Sequence, residues 1–247
     1  EAAVECADRE RVGHLELRYR EDPGPDLAGS SLYWTFRREL PAKPEDVLAR
    51  MPKKARAEAR KARDKHALEL SHGRWYVDDL QRMFMANKQK LGSPGMPRHY
   101  FARLLEHLGD AAGVHLVRRG NEPLSAVMSF RFRDELYAYY SGTRDGADRD
   151  CSASNFMYLA LQEWAVGAGV RMFDFGRSRR DSGAFAFKEH QGFTAAPLHY
   201  RYHLVRDRRL PSFNPSNPKT QALRDAWARL PAPLAGVLSA PLSRYLP

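Results

Sequence analysis

Cysteine is scarce: only Cys6 and Cys151 occur in 247 residues, with no CxxC spacing and no nearby histidine pair. A disulfide framework or a zinc site is therefore not expected, and both read as ordinary thiols. Long apolar runs are also missing, since no stretch approaches the roughly 18 residues that a membrane-spanning helix needs. The opening residues Glu1-Ala2-Ala3-Val4-Glu5 have neither the basic region nor the apolar core of a signal peptide. A cytoplasmic location is expected, with any membrane contact peripheral and at the inner face. No solenoid-type repeat is visible. What is present, 43% hydrophobic and 28% charged residues, is the balance of a globular chain rather than a disordered one.

The charge is uneven. The net +10 makes an anionic partner such as a phosphate group, RNA or an acidic lipid surface plausible without choosing among them. Residues 53–65 hold seven basic side chains (Lys53, Lys54, Arg56, Arg60, Lys61, Arg63, Lys65) against Glu58 and Asp64, which is half of that excess. Ala55, Ala57, Ala59 and Ala62 favour a helix there, restarting after Pro52, with Lys53, Arg56, Arg60 and Arg63 along one stripe. Such a stripe is either a solvated face or a docking surface for phosphates.

Upstream, the end of a helix runs into a strand over His14–Tyr19, and a second strand covers Leu32–Arg38, separated by an Asp22-Pro23-Gly24-Pro25 loop. A helix is expected from Pro44, with Glu45 and Asp46 suited to its first turn. Two more are expected at Val77–Leu91 and Arg98–Leu108, broken by Gly92-Ser93-Pro94-Gly95. The pattern then becomes an antiparallel meander: Val114–Arg118, Leu124–Arg133 and Leu136–Ser141. A helix follows from about Ser154, with Ser152 or Ser154 as N-cap, ending at Gly167 and Gly169. A short strand at Arg171–Phe175, a glycine-punctuated loop and a last strand at Leu198–Val205 complete an α+β layout with one mixed sheet. The tail from Asp207 reads as loop, with Pro211, Pro215 and Pro218, then a helix near Thr220–Leu230 and an apolar end.

The most distinctive stretch is Asp174-Phe175-Gly176-Arg177-Ser178, followed by Gly183, Phe187-Lys188 and Gly192-Phe193. A strand ending in glycine, then Arg and Ser, allows close backbone approach to a ligand and offers a guanidinium to phosphate or carboxylate. It is equally compatible with a tight turn whose Arg is solvated. Asp174 is a possible base or a structural hydrogen-bond acceptor. Of Tyr137, Tyr139 and Tyr140, strand alternation sends at least one into the core.

With the rest of the chain beside it, this stretch resembles the FemAB-like peptidoglycan-bridge transferases of the GNAT superfamily, most closely those associated with exosortase (PEP-CTERM) systems. The matching pieces run in order: HLELR, LYWTFRREL, MPKKARAEARKARDKHAL, ELYAYYSG, Asn155, FDFGRS, FKEHQGF and LHYRYHLVR. The resemblance implies a GNAT-like mixed sheet flanked by helices, and transfer of an activated acyl or aminoacyl group to an amine of an exopolysaccharide- or peptidoglycan-type envelope precursor. It implies aminoacyl-tRNA or acyl-CoA as donor, with no tightly bound cofactor, no metal and no covalent nucleophile. The expected partners are a phosphate-bearing precursor, tRNA and an anionic membrane surface, without a stable DNA partner.

Relatives of this type carry roughly a hundred further residues before the HLELR strand, about one lobe by ordinary domain size. The resemblance therefore divides the chain into the remnant of a first GNAT-like lobe (1–42), a transferase domain (43–206) and a tail with short helices (207–247). It places catalysis on Lys188, Tyr140, Ser178 and Asp174, and substrate binding on Arg177, Gly176, Asn155, Ser141, Gly142, Arg56 and Arg60. The loop Thr143-Arg144-Asp145-Gly146-Ala147-Asp148 lacks the Q/R-x-x-G-x-G/A pattern with which acyl-CoA enzymes cradle pyrophosphate, which weakens acyl-CoA as the donor. An acyl-CoA-dependent N-acetyltransferase and a non-catalytic RNA-binding or assembly scaffold remain the alternatives.

Overall fold

The computed structural model describes residues 1–210 and 218–243. Pro211 and Pro215 of the expected loop lie outside the described residues. The chain opens with α1 (Ala2–Arg9), β1 (His14–Tyr19), β2 (Ala28–Ser30) and β3 (Tyr33–Glu39). The helix expected from Pro44 is instead two short 3-10 turns, Pro44–Asp46 and Leu48–Arg50. Met51 then turns extended, as a residue before proline prefers. After Pro52 comes α2 (Lys53–Asp64), whose Ala55, Ala59 and Ala62 are buried at helical spacing while most of its charges stay outside.

β4 (Glu69–His72), α3 (Val77–Lys90) and α4 (Arg98–Leu108) lead into the meander β5 (Ala112–Arg119), β6 (Glu122–Phe132) and β7 (Glu135–Thr143). Then come α5 (Ala147–Cys151), α6 (Ala153–Gly167) and β8 (Met172–Asp174). The expected glycine-punctuated loop is largely structured, as β9 (Ser178–Arg179), α7 (Gly183–His190) and β10 (Ala195–Pro197). Ser182 caps α7, its hydroxyl accepting from the Phe185 N–H at 3.2 Å. β11 (His199–Leu204), α8 (Pro218–Ala228) and α9 (Ala232–Leu242) close the described chain.

Among the described residues the mixed sheet has eight strands, in the order β10-β3-β8-β7-β6-β5-β4 with β9 also on β3. β6 lies inside it, between β7 and β5, and is buried on both faces from Leu124 to Ser129. Val127 packs towards α6 with Phe156, Met157 and Leu161, whereas Ala126 and Met128 pack towards α3 and α4 with Leu80, Phe84 and Phe101. Helices therefore cover both faces, which explains why the strand runs near-continuously apolar rather than alternating.

The last strand departs from the expected single sheet. β11 sits between β1 and β2 in a separate three-stranded sheet, paired from His14↔Leu204 to Tyr19↔His199. Conversely β3, expected in the first lobe, is inserted between β8 and β10 of the large sheet. Pairing thus crosses the boundary expected at residue 42 in both directions. The cause is burial: Phe36 of β3 is fully buried in the main core, while Tyr200 and Tyr202 of β11 are buried on the smaller sheet, Tyr200 stacking on Tyr33 at 5.3 Å.

Candidate active site

β7 and β8 form a parallel pair, in register from Glu135↔Met172 to Tyr137↔Asp174. There β8 ends, and β7 continues six residues further to Thr143. An extra residue on β7, Tyr139, shifts its register against β6 between Met128↔Tyr140 and Ser129↔Ala138, a bulge that bends the strand. The chain leaving β8 turns at Gly176, whose φ of +72° suits a residue without Cβ. Between the diverging segments opens a cleft of about 730 Å³, lined among others by Ser141, Gly142, Tyr158, Arg177, Ser178 and Lys188.

Lys188 comes from α7 and is buried. Its Nζ donates to the carbonyl oxygens of Gly176 at 2.8 Å and Arg177 at 3.2 Å, and it lies 5.3 Å from the Phe36 ring and 5.4 Å from that of Phe175. Burial lowers its pKa to about 8, against the opposing charge of Asp174. Ser178 is also buried and its Oγ has no protein hydrogen-bond partner. An unpaired buried hydroxyl is costly, so one on a cleft wall marks a place where a ligand atom can complete the bonding. Arg177 donates to the Tyr200 hydroxyl at 2.7 Å and stacks 4.6 Å over Tyr33. Burial disfavours its charge, and the Tyr200 hydrogen bond with the neighbouring phenols outweighs that effect.

Gly142 is where β7 passes closest to α3: a Cβ there would stand 2.4 Å from the Met83 backbone carbon. A side chain would push the strand off the helix and deform that wall. Asp174 faces the other way. Its carboxylate accepts from the Gly176 N–H at 2.7 Å, lies 3.4 Å from Arg37 Nε and 4.0 Å from Arg20, and does not line the cleft. Burial pushes its pKa up, against the Gly176 hydrogen bond and the charges of Arg37, Arg20 and Lys188.

Tyr140 is likewise separated from Lys188. Its hydroxyl bonds that of Tyr100 at 2.7 Å, and burial together with this bond raises its pKa well above the usual phenol range. It lines a second cavity of about 660 Å³ with Arg18, His99 and Tyr100. Tyr139 and Arg177 belong to the walls of both cavities. The reason is strand alternation altered by the bulge: Ser141 faces the cleft, and Tyr140 joins the α3/α4 cluster.

Asn155 and the basic helix are outside the cleft too. Asn155 donates to Glu58 of α2 at 2.9 Å and accepts from Gln191, so its helix face is used to hold α2. Arg56 donates to the Ala49 carbonyl at 3.3 Å, and Arg60 is exposed. The buried stripe of α2 faces α6, so the charged stripe points away from the sheet.

Sequence reasoning missed Tyr158. Its hydroxyl donates to Ser141 Oγ at 3.3 Å, and burial pushes its pKa up to about 12, so the phenol keeps its proton at neutral pH. In an apolar helix it reads as another core aromatic. Also missed was a chain of hydroxyls, Ser125 to Thr143 at 2.8 Å and Thr143 to Ser154 at 3.0 Å. It ends on Asp148, which accepts from the Ser154 N–H at 2.7 Å and its hydroxyl at 2.9 Å. The N-terminus of α6 is therefore capped by a carboxylate from α5. Basic side chains at this end are paired as well: Lys90 with Asp145, Arg144 with Glu122, Arg149 with Asp150. Among the described residues no group of three or more His, Cys, Asp or Glu could hold a metal ion.

A mixed sheet with helices on both faces and a cleft where its parallel strands part is the setting, and the family match gives the class: an acyltransferase of the GNAT superfamily. The acetyltransferase (GNAT) domain family matches residues 49–189, more than half of the chain, and the protein belongs to that family. Its fold is similar to that of FemX, with TM-score 0.59 and 13% identity over 83% of this chain and 68% of that one. It is also similar to a conserved protein of unknown function from Bacteroides thetaiotaomicron VPI-5482 (TM-score 0.58, 11% identity, 82% and 73% of the chains). A tandem GNAT protein from the clavulanic acid biosynthesis pathway is comparable at TM-score 0.50 and 13% identity, over 81% and 67%. No curated protein matches in sequence.

Proposed function

We propose that this acyltransferase moves an aminoacyl or other activated acyl group from a carrier to an amine of a cell-envelope precursor, with the reaction centred on Lys188 and Ser178. The observation that carries the proposal is a buried lysine with a lowered pKa beside an unpaired buried serine, both on the cleft wall. Two of the three Nζ bonding positions are taken by the carbonyls of Gly176 and Arg177. The third is an N–H in the ammonium form and a lone pair in the neutral form. With its pKa near 8, Lys188 exchanges a proton readily at working pH, which suits a general base.

The attacking amine forms a C–N bond to the acyl carbon. Its proton passes to Lys188, the bond to the carrier breaks, and the proton then goes to the departing carrier atom. The carbonyl oxygen carries negative charge in between, and Ser178 Oγ–H is the free donor placed to meet it. Arg177 binds a phosphate or carboxylate of either substrate. Tyr158, still protonated, fixes Ser141 on the opposite wall.

An aminoacyl-tRNA donor is favoured over acyl-CoA because the α6 N-terminus, a natural pyrophosphate site, already holds Asp148, with Asp145 and Asp150 of the preceding loop and α5 close in sequence. The exposed cations of α2, Arg60 among them, offer a surface to the tRNA backbone. The ordered sequence match supports an envelope acceptor, and its finer form an exopolysaccharide precursor of an exosortase-associated system.

The test is label transfer to an amine-containing envelope-precursor fraction, from charged tRNA or from acetyl-CoA, with and without ribonuclease. Ribonuclease-sensitive transfer is expected. Resistant transfer from acetyl-CoA would instead establish the acyl-CoA reading, and no transfer from either donor would sink the proposal.

A further inference from the structure

Helix α9, Ala-Pro-Leu-Ala-Gly-Val-Leu-Ser-Ala-Pro-Leu, contains no charged residue. Only Ala235 and Ser239 are buried, the Ser239 hydroxyl accepting from the Gly95 N–H at 3.3 Å beside α3. Leu234, Val237, Leu238 and Leu242 are exposed at 46, 72, 37 and 41%. A helix on a water-facing surface ordinarily turns polar residues outward. This one turns outward the residues that ordinarily belong to a core, and Leu223 of α8 is exposed at 72% as well.

The setting is cationic. Arg229 is exposed just before α9, and its far end, through Ala240, Pro241 and Ser243, closes the second cavity over Arg18, His99 and Arg177. From residue 221 to 243 the sole carboxylate is Asp225, which accepts from Gln221. At about 1.5 Å per residue, eleven residues reach roughly half the thickness of a bilayer's hydrocarbon core, and among the described residues no helix is long and apolar enough to cross. Such a helix can lie in the interface but not span it.

We propose that α9 docks the protein on an anionic phospholipid bilayer, its exposed leucines and valine at the acyl boundary and the neighbouring cations at the lipid phosphates. Charge complementarity identifies the occupant: Arg224 and Arg229 lead into the apolar face, and Asp225, the one carboxylate between residues 221 and 243, is bonded to Gln221. In this pose the mouth of the second cavity lies at the membrane surface. The inference goes beyond the transfer reaction and does not require it.

Co-sedimentation of the full chain with vesicles of phosphatidylcholine alone, and of phosphatidylcholine with phosphatidylglycerol, tests the docking. The protein is expected to pellet with the anionic vesicles, less so at high salt, and weakly with the neutral ones. The double variant Leu234→Asp, Val237→Asp is expected to bind at least tenfold less well with little change in melting temperature, because these are the two most exposed apolar side chains of α9. Equal pelleting of wild type and variant would overturn the proposal, as would failure of the wild type to pellet. So would a solution dimer that the variant dissociates, which would make a second copy the occupant. Transfer to a water-soluble acceptor is measured on the same variant; its retention separates loss of docking from loss of catalysis.

Discussion

The two ends of the β7–β8 pair differ in kind. At the closed end, Arg37 and Arg20 converge on Glu135 and Asp174, with Tyr137 bonded to both Glu135 and Arg20. Every charge has an opposite neighbour. At the open end, four residues past Asp174, Ser178 is buried without a partner, and Lys188 is buried with carbonyls for company. Full pairing is what a clamp needs, while unpaired buried polarity is tolerated where a substrate finishes the bonding. Asp174 and Lys188 look alike in sequence, as charged residues near a glycine loop, yet one sits among the paired charges and the other lines the cleft as the proposed base.

The contrast can be broken at either end. The largest effect is expected from Asp174→Ala, which takes away the acceptor of the Gly176 N–H and one of the two carboxylates on Arg37, Glu135 remaining. Losing a hydrogen bond to a charged group typically costs about 1.5–3 kcal/mol, here read as a fall in the urea midpoint. A variant as stable as wild type would show that the closed end is not a clamp. Ser178→Ala is expected to lower transfer about 10–100-fold, the worth of one hydrogen bond to a developing charge. Its stability should hold or rise slightly, since the hydroxyl has no partner to lose. Unchanged turnover would remove Ser178 from the site.

Local pattern made much of this fold legible. The α4 limits match those expected, and so do those of β1, because regular periodicity and glycine or proline punctuation bracket both. The meander and α6 appear with ends shifted by one or two residues. Partnership between strands was not legible: nothing in His199–Leu204 says that it joins His14–Tyr19, 180 or more residues away, and not the main sheet. Nor does Gly176 to Pro197 announce α7, since its glycines fall at the turns and its eight residues are too few for a clear period.

At the site, Ser141, Gly142, Gly176, Arg177, Ser178 and Lys188 were singled out in sequence, and the structure brings them to the strand opening, Gly176 as the turn at its rim. Tyr140, Asn155, Asp174, Arg56 and Arg60 were singled out with them and lie elsewhere. What separates the sets is side-chain direction, which depends on the bulge at Tyr139 and on the α2–α6 contact. The basic run of α2 was the loudest sequence signal because charge is countable without a fold. Tyr158 was silent because a phenol in an apolar helix looks like packing until its hydroxyl is seen on Ser141.

The most direct test is Lys188→Met, followed as transfer rate and as unfolding free energy against pH. In the wild type the unfolded chain holds the lysine proton up to about 10.5 and the folded chain releases it near 8. Stability should therefore rise with pH between those values, and transfer should rise through about 8 as the neutral base forms. In the variant the expectation is a rate lower by about 10²–10⁴, without either pH limb, in a protein that still folds. A variant that keeps the wild-type rate and the rise near pH 8 would contradict the assignment of the open end as the catalytic one.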